Sequence, residues 1–388
     1  MALSSKFKFL NLFYRHPLYV MHLVNLKMRL IQRFSWIKHN YDKDSQVPAP
    51  LIYKFILTKR CNLRCKMCML WGETGWCKNE SQEIISQELD WGVFRRVIEQ
   101  IRDYHPSFIF TGGEPLLYSH FAKLALLLKD NKWFATICTN GLLLDKFLEV
   151  INNNPYLIFL ISLDGLEEEN DLLRGEGVYK KVLGNIKLLK SLKKPPYIGI
   201  QFTIRPENIK AMYRFCQEMA ALGVDWILLN PCWFISQEQA RAYEDFLMKN
   251  FNNRPKSHLG YLFPYMLDRK EFINQFQKIK NEQWPIQISC YLKEPQDIHP
   301  YLDMPHIPPR NKFCYKQWLR MDFTPQGDVT PCAQFPDLSF GNIKDSAIEK
   351  IWNSYDYEKF RKLIREKYLP ICSKCNAIYL YDADRIFL

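Results

Sequence analysis

Short apolar runs alternate with longer segments of helical periodicity over the first two thirds of the chain. The runs span residues 51–57, 107–110, 133–138, 157–162, 198–204 and 226–230. Between them, segments such as 91–104 and 178–192 repeat apolar residues every three or four positions, which is typical of amphipathic helices. Strands that alternate with helices predict a parallel sheet with right-handed crossovers. Six such units predict an α/β fold, an open or partial (β/α)6 barrel of the TIM type rather than a closed barrel of eight.

The same pattern divides the chain into four predicted segments. A basic, apolar and helical extension occupies residues 1–46 and ends in "DSQVPAP" (44–50), a proline-containing linker. The partial barrel occupies 47–235. A less regular connecting region follows at 236–310, with a helix near 269–282 and a strand at 285–289. Residues 311–388 form a separate C-terminal domain, in which "LRMDFTPQGDVTPC" has the strand–turn–strand pattern of a hairpin.

Charge changes the interpretation of the N-terminal extension. Residues 1–41 hold seven of the chain's cations and no acid. Apolar residues such as Leu26, Leu30 and Phe34 recur there at helical spacing, but the apolar runs are too short to span a bilayer. We consider two interpretations: a helix packed across the main domain with its cations in water, which we favour, and a basic amphipathic helix making peripheral contact with an anionic membrane. We expect no nucleic-acid partner.

Composition bounds the class of protein. The chain has 388 residues, of which 47% are hydrophobic and 15% aromatic, as expected for a protein folded throughout. Its twelve cysteines include tight, asymmetric groups, and no cleavable signal peptide is apparent. Metal ligation in a reducing compartment therefore fits better than a disulfide framework. We predict a cytoplasmic protein, membrane-associated if its first segment binds lipid.

Three cysteines stand together directly after the first predicted strand. Cys61, Cys65 and Cys68 form C-x3-C-x2-C, at the carboxyl end of the strands, where barrel folds keep their chemistry. Soft thiolates select iron–sulfur clusters or zinc. A closed structural zinc site needs four ligands. Three cysteines on a four-iron cluster instead leave one iron open to a small molecule, and we predict this arrangement.

Further motifs follow the next three strands: "FTGGEP" (110–115), "CTNG" (138–141) and "ISLDG" (161–165). With these motifs, residues 50–388 closely resemble the radical S-adenosylmethionine (SAM) superfamily. The resemblance implies that the amine and carboxylate of SAM chelate the open iron of a [4Fe–4S] cluster. An electron then cleaves SAM, and the resulting 5′-deoxyadenosyl radical abstracts a hydrogen atom from the substrate. An external donor such as flavodoxin or ferredoxin would supply the electron.

The resemblance also assigns roles around SAM. The segment of Gly112, Gly113 and Glu114 would bind the amine of SAM. Ser162 and Arg174 would contact its carboxylate, and Asn140 its ribose. Met67 stands where many members of the superfamily carry an aromatic residue, and it fills similar space.

A second group of cysteines lies in the C-terminal domain: Cys314, Cys332, Cys372 and Cys375. Their pattern resembles the SPASM/twitch extension of radical SAM enzymes, which implies one auxiliary [4Fe–4S] cluster with all four irons ligated by protein. Such a cluster relays an electron or braces the domain. Zinc is the alternative, since four thiolates also make a tetrahedral site.

Cys232 follows the sixth predicted strand, on the same rim as the first cysteine group. Its S–H bond is weak enough to return a hydrogen atom to a substrate radical, as in some radical SAM sugar epimerases. The alternative is a small buried apolar residue.

The sequence predicts the substrate only as a broad chemical class. The architecture favours a small-molecule or glycan substrate, namely a sugar, an aminocyclitol or a lipid-linked glycan, in an epimerisation or a dehydrogenation. The main alternative is a SPASM-type peptide maturase. Such enzymes often carry an N-terminal leader-binding module, for which the 46 residues before the barrel are short. A third alternative is a non-catalytic metal-binding scaffold.

Overall fold

The computed structural model describes residues 10–40, 46–290, 292, 298–299, 301–302 and 314–375. Its centre is one sheet of nine strands in these residues. The strands are β1 (Ile52–Ile56), β2 (Ser107–Thr111), β3 (Ala135–Thr139), β4 (Leu157–Ser162), β5 (Tyr197–Ile204), β6 (Trp226–Pro231), β7 (Gln287–Cys290), β8 (Arg320–Phe323) and β9 (Val329–Thr330).

The first six strands are parallel neighbours in chain order, which confirms the α/β fold with a parallel sheet. The sheet is wider than the six strands predicted. β7 adds to β6 in parallel, and β8 pairs in parallel with β1, with Arg320 opposite Ile52. β9 closes an antiparallel hairpin on β8. The predicted hairpin is therefore part of the barrel sheet, a pairing over more than 250 residues of chain that local patterning cannot reveal.

Helices connect the strands and cover the sheet. Those of the described residues include α1 (Pro17–Asn40), α2 (Gln82–Ser86), α3 (Trp91–Ile101), α4 (Phe121–Asp130), α5 (Leu148–Asn152), α6 (Glu167–Arg174), α7 (Val178–Lys190), α8 (Met212–Leu222), α9 (Gln237–Phe251), α10 (Arg269–Asn281), α11 (Ile348–Trp352) and α12 (Tyr355–Glu366). Residues 10–15 are also helical.

The two faces of the sheet differ in polarity. Because successive side chains of a strand point to opposite faces, Phe55 packs outward on Phe94 of α3, with ring centroids 5.2 Å apart. Its neighbour Lys54 points inward and lines a cavity together with Gln201 of β5 and Asn230 of β6. The interior of the partial barrel is thus polar, as a binding lumen would be.

Helix α1 packs across the amino-terminal ends of the strands. Tyr19 lies on Tyr197 with ring centroids 4.3 Å apart, and His22 stacks on Phe134 at the same separation. Arg33 is buried and donates hydrogen bonds to the carbonyls of Pro48, Ala49 and Trp318. The inner face of α1 is therefore packed across the barrel, as the first interpretation expects, but Arg33 is buried rather than in water. In the described part of the chain, no helix is long and apolar enough to cross a membrane.

Some predicted segments extend beyond the described residues. The linker at 44–50, the connecting region at 236–310 and the C-terminal domain at 311–388 are described only in part. Within the connecting region, α10 matches the helix predicted near 269–282, and β7 begins two residues after the predicted strand start.

Candidate active site

The loop of Cys61, Cys65 and Cys68 leaves the carboxyl end of β1. All three thiols are half-buried, and the Leu63 N–H donates to the sulfur of Cys61 at 3.4 Å. Burial raises the pKa of Cys61 to about 12 and also raises that of Cys65. A metal would therefore have to displace thiol protons, which couples metal binding to pH.

Two residues that are predicted to bind SAM lie close to this loop, although they come from distant parts of the chain. Asn140, after β3, places its side-chain Nδ2 3.9 Å from the sulfur of Cys61. Arg174, at the end of α6, places Nη1 3.8 Å from the sulfur of Cys65. The fold therefore brings together residues that lie more than 75 positions apart, at the same end of the sheet. Ser162 is the last residue of β4, also at this end, and is half-buried.

Gly112 and Gly113 join the loop after β2 to the cysteine loop. The Gly113 N–H donates to the carbonyl of Thr58 at 2.8 Å, and the Glu114 N–H donates to that of Arg60 at 2.7 Å. A Cβ on Gly112 would lie 2.3 Å from the Thr58 oxygen, and one on Gly113 would lie 2.2 Å from the Arg60 oxygen. Both positions therefore require glycine for a close approach of two backbones. Their contact with SAM stays a prediction.

Glu114 is fully buried and holds neighbouring loops together. Its carboxylate accepts hydrogen bonds from the Thr139 hydroxyl at 2.6 Å, the Asn140 N–H at 2.7 Å and the Leu116 N–H at 3.0 Å. Burial raises its pKa to about 7, although these donors favour the ionised form. Glu114 thus fixes the position of Asn140, a role that its motif alone did not indicate.

A buried ion pair supports the Cys65 side of the site. Asp164 Oδ2 forms an ion pair with Arg174 Nη2 at 2.6 Å, and Asp164 Oδ1 accepts a hydrogen bond from the Thr203 N–H at 2.6 Å. Burial would lower the pKa of Arg174, but Asp164 outweighs it and the pKa is raised. Asp164 belongs to the "ISLDG" motif after β4, and its pairing with Arg174 was not predicted. The sequence could have indicated this ion pair, because an acid follows Ser162 by two positions and an arginine ends the next helix.

The four C-terminal cysteines line one cavity of about 200 Å³ inside the barrel. Cys314 precedes a 3-10 helix (Tyr315–Trp318), and Cys332 follows β9. Cys372 and Cys375 lie at a second 3-10 helix (Pro370–Lys374). Segments almost 60 residues apart thus converge on one space, as the prediction of a shared cluster requires.

Charged residues that sequence analysis missed lie beside this cavity. Asp322 of β8 accepts from Arg320 Nε at 2.7 Å and from Lys316 Nζ at 2.9 Å. Lys54, opposite Asp322 in the register of β1 and β8, lines the same cavity. Burial would lower the pKa of Lys316, but Asp322 outweighs it and the pKa is raised. The sequence could have indicated these residues, because Lys54 and Asp322 are charged residues that stand between apolar neighbours in their strands.

These residues suit an anionic cluster. The cavity of about 200 Å³ that the four cysteines line is larger than one zinc ion needs. Lys316 and Arg320 against Asp322 leave a surplus of buried positive charge, which favours thiolates nearby. The donor set therefore fits a four-cysteine iron–sulfur cluster.

A second cavity, of about 280 Å³, adjoins the first at Gln334. Gly112 and Met69 line its inner side, next to the cysteine loop. Lys59 and Lys256 line it as well. The second cavity thus lies close to both cysteine groups.

Tyr261 stands between the two cysteine groups, and no motif in the sequence indicates it. Its hydroxyl donates to the sulfur of Met69, and its ring lies 4.8 Å from that of Phe335 and 5.3 Å from that of Trp233. The neighbouring Gly260 lets the backbone of this segment approach Met69 closely, because a Cβ at position 260 would lie 2.2 Å from the Met69 carbonyl oxygen.

Cys232 is buried just beyond β6. Its sulfur lies 3.9 Å from Arg205 Nη1, and its carbonyl accepts from the Tyr301 hydroxyl at 2.9 Å. Burial raises the pKa of Cys232 to about 11. The thiol is therefore protonated at neutral pH.

A partial barrel with a three-cysteine loop after its first strand, closed by a four-cysteine domain, defines the class to which this chain belongs. Residues 55–219 match the radical SAM superfamily, and residues 314–376 match SPASM, an iron–sulfur cluster-binding domain. The chain is thus a radical SAM enzyme with a C-terminal SPASM-type domain, and its cofactors are iron–sulfur clusters and SAM.

Relatives cover most of the chain at low identity. It is 22% identical to the tungsten-containing aldehyde ferredoxin oxidoreductase cofactor-modifying protein of Pyrococcus furiosus, over 82% of this chain and 85% of that protein. It is 24% identical to the antilisterial bacteriocin subtilosin biosynthesis protein AlbA of Bacillus subtilis, over 87% of this chain and 68% of that protein.

Solved structures share the fold. Streptococcus suis SuiB bound to S-adenosylmethionine superposes with a TM-score of 0.63 at 15% identity, over 88% of this chain and 75% of SuiB. The peptide-bound structure of anSMEcpe with AdoMet gives 0.58 at 20% identity, over 86% of this chain and 88% of that one.

Proposed function

We propose that this enzyme is a maturase that modifies a peptide by radical chemistry. The observation that carries the proposal is the second cavity, which is lined by Gly112 and Met69 beside the first cysteine loop and by Gln334, a residue that also lines the cavity of the four C-terminal cysteines. The auxiliary cluster would fill the first cavity, so the substrate would occupy the second, of about 280 Å³, beside it. AlbA is named for bacteriocin biosynthesis, and SuiB has been solved with its precursor peptide SuiA. This support favours the peptide over the predicted sugar, aminocyclitol or glycan.

Each predicted site residue receives a role in this proposal. Cys61, Cys65 and Cys68 hold the cluster that, with SAM bound, supplies the hydrogen-abstracting radical. The remaining residues position SAM: Gly112, Gly113, Glu114, Asn140, Ser162 and Arg174. Of these, Arg174 is suited to the SAM carboxylate because its Nε is buried without a hydrogen-bond partner in the described residues.

The auxiliary cysteines Cys314, Cys332, Cys372 and Cys375 hold the second cluster, beside the substrate space. Burial raises the pKa of Cys314 and Cys372, and the positive charge of Lys316 opposes this rise and so favours the thiolates that a cluster needs. An external electron donor of the flavodoxin or ferredoxin class completes the system, because cleavage of SAM consumes an electron.

The cavity wall indicates the chemistry of the peptide. Lys59, Arg254 and Lys256 line the second cavity, while the two acids there are engaged within the fold: Asp337 accepts from the N–H groups of Lys256 and Ser257, and Asp328 from Ser339 and Asn342. Lys256 Nζ also pairs with Glu80 Oε1 at 3.9 Å, so Lys59 and Arg254 are the cations that suit a peptide segment carrying a carboxylate.

The test is a product assay on anaerobically reconstituted protein with SAM, flavodoxin and its reductase. The substrates are the short peptides encoded beside the gene and, in parallel, a panel of nucleotide sugars and aminocyclitols. We expect 5′-deoxyadenosine and a mass change in a peptide, and neither with Cys61/Cys65/Cys68→Ala. Turnover of a sugar with no change in any peptide would refute the peptide assignment and restore the predicted substrate class.

Cys232 carries a second candidate function, epimerisation of the substrate. Its buried, protonated thiol can donate a hydrogen atom: the S–H bond breaks, a C–H bond forms on the substrate radical, and one electron from the external donor with one proton restores the thiol. In deuterated water the product carbon should then carry deuterium, and Cys232→Ala should lose product while still forming 5′-deoxyadenosine. Unlabelled product, or unchanged turnover of the variant, would exclude this role.

A further inference from the structure

Helix α1 is apolar on both of its faces. Its inner face is buried on the barrel by Tyr19, Leu26 and Phe34. Of the sixteen exposed large apolar side chains in the described residues, eight lie within residues 10–31. Along α1 they form one row, which we call the outer face: Leu18, Met21, Val24, Met28 and Ile31. An exposed apolar row of this kind, about 20 Å long at 1.5 Å per residue, marks an interaction surface.

The charge of the segment limits what can cover the outer face. Residues 1–40 carry seven cations and no acid. Lys38 is exposed on the last turn of α1. At the other end, Lys193 and Lys194 are exposed and line a cavity together with Arg15 and Leu18. The apolar row is therefore flanked by cations at both ends.

We propose that the outer face of α1 docks on an anionic phospholipid surface. Apolar side chains enter the boundary of headgroups and acyl chains, and flanking cations bind lipid phosphates. Arg15 is paired with Asp225 at 2.8 Å. A second copy of the chain is the competing occupant, but pairing two such helices would bring together surfaces whose exposed lysines, Lys38, Lys193 and Lys194, repel one another. The charge therefore favours lipid over self-association.

The position of α1 sets the orientation of the bound enzyme. α1 covers the amino-terminal ends of the strands, through Tyr197 and Phe134, which begin or precede β5 and β3. The cysteine loop lies at the opposite, carboxyl ends. The docked enzyme would thus open its active site to water, where a peptide can reach it, and the lipid substrate class considered from the sequence is not needed to explain the apolar N-terminus.

The test is flotation of the full-length reconstituted protein with vesicles of phosphatidylglycerol and phosphatidylcholine, or of phosphatidylcholine alone. We expect binding to the anionic vesicles that high salt weakens, because charge contributes. Met21→Asp/Met28→Asp should reduce the partition coefficient at least tenfold. The matched control is Leu126→Asp/Leu188→Asp, at similarly exposed leucines of α4 and α7, and it should bind like wild type.

Circular dichroism and iron content verify that both double variants are folded, since all four side chains point outward. Failure of the wild type to bind anionic vesicles would overturn the proposal, as would equal binding by both double variants. Sedimentation would distinguish the competing occupant: a dimer of the wild type that Met21→Asp/Met28→Asp dissociates, without vesicle binding, would assign the outer face to a second copy.

Discussion

Gly113→Ala should separate the two loops that form the SAM site. The new Cβ would lie 2.2 Å from the Arg60 oxygen and 2.4 Å from the Lys59 oxygen, both backbone atoms that no rotamer change can move away. Relief requires a shift of about 1 Å, since ordinary carbon–oxygen contacts begin near 3.4 Å. Overpacking of this kind costs about 1–3 kcal/mol.

The shift also weakens two backbone hydrogen bonds, from Gly113 to Thr58 and from Glu114 to Arg60, at roughly 0.5–1.5 kcal/mol each. We therefore expect a loss of about 2–6 kcal/mol in the free energy of unfolding. Because the displaced residues directly precede Cys61, the first cluster should also be lost. Iron after reconstitution should fall from about eight to about four per chain.

The assay is urea unfolding of the metal-free, reduced protein, together with iron analysis and SAM-dependent spectroscopy of the reconstituted protein. Gly184→Ala is the control. Gly184 lies in α7, where a Cβ would meet nothing within 4 Å, so this change should stabilise the protein by up to about 1 kcal/mol. If Gly113→Ala unfolds like wild type and takes up the same iron, the close approach of the two loops is not needed and the reasoning is refuted.

Three further changes test other parts of the site. Arg174→Met leaves the buried Asp164 without its cation and should cost about 3–5 kcal/mol in urea unfolding; a cost below about 1 kcal/mol would contradict the pairing. For Asp322, burial would raise the pKa, but Arg320 and Lys316 hold it well below its usual 3.8, so its stabilisation is present above that pH and is lost as pH falls below it. The unfolding free energies of wild type and Asp322→Asn should therefore differ most above pH 4 and converge in acid; a constant difference would exclude the pair. Cys372→Ala should lower iron to about four per chain while retaining 5′-deoxyadenosine formation, and unchanged iron would place the second cluster elsewhere.

The parallel sheet and the first cysteine loop were predictable because their determinants are local. Apolar runs such as 157–162 alternate with helical segments, and Cys61, Cys65 and Cys68 lie within eight residues. Polar motifs at successive strand ends must meet at one edge of a parallel sheet, and the contacts of Asn140 and Arg174 with the cysteine loop follow from that rule.

Long-range packing produced the features that the sequence did not reveal. The attachment of β8 to β1 depends on a pairing that no local pattern encodes. Tyr261 could not be identified because its position between the cysteine groups depends on how residues 257–261 fold back on Met69. The hydrogen bonds of Glu114 to the loop after β3 could not be predicted for a similar reason, because they depend on how that loop packs in three dimensions; its predicted contact with SAM stays a prediction.

The pairing of β8 with β1 makes the barrel and the SPASM-type domain inseparable in practice. If the chain were cut before Cys314, β1 would become an outer strand with a row of unsatisfied N–H and C=O groups. Such a fragment would self-associate through that row instead of persisting as a monomeric half-enzyme. The sheet is therefore complete only after β8, more than 250 residues beyond β1, has been synthesised and has paired with β1.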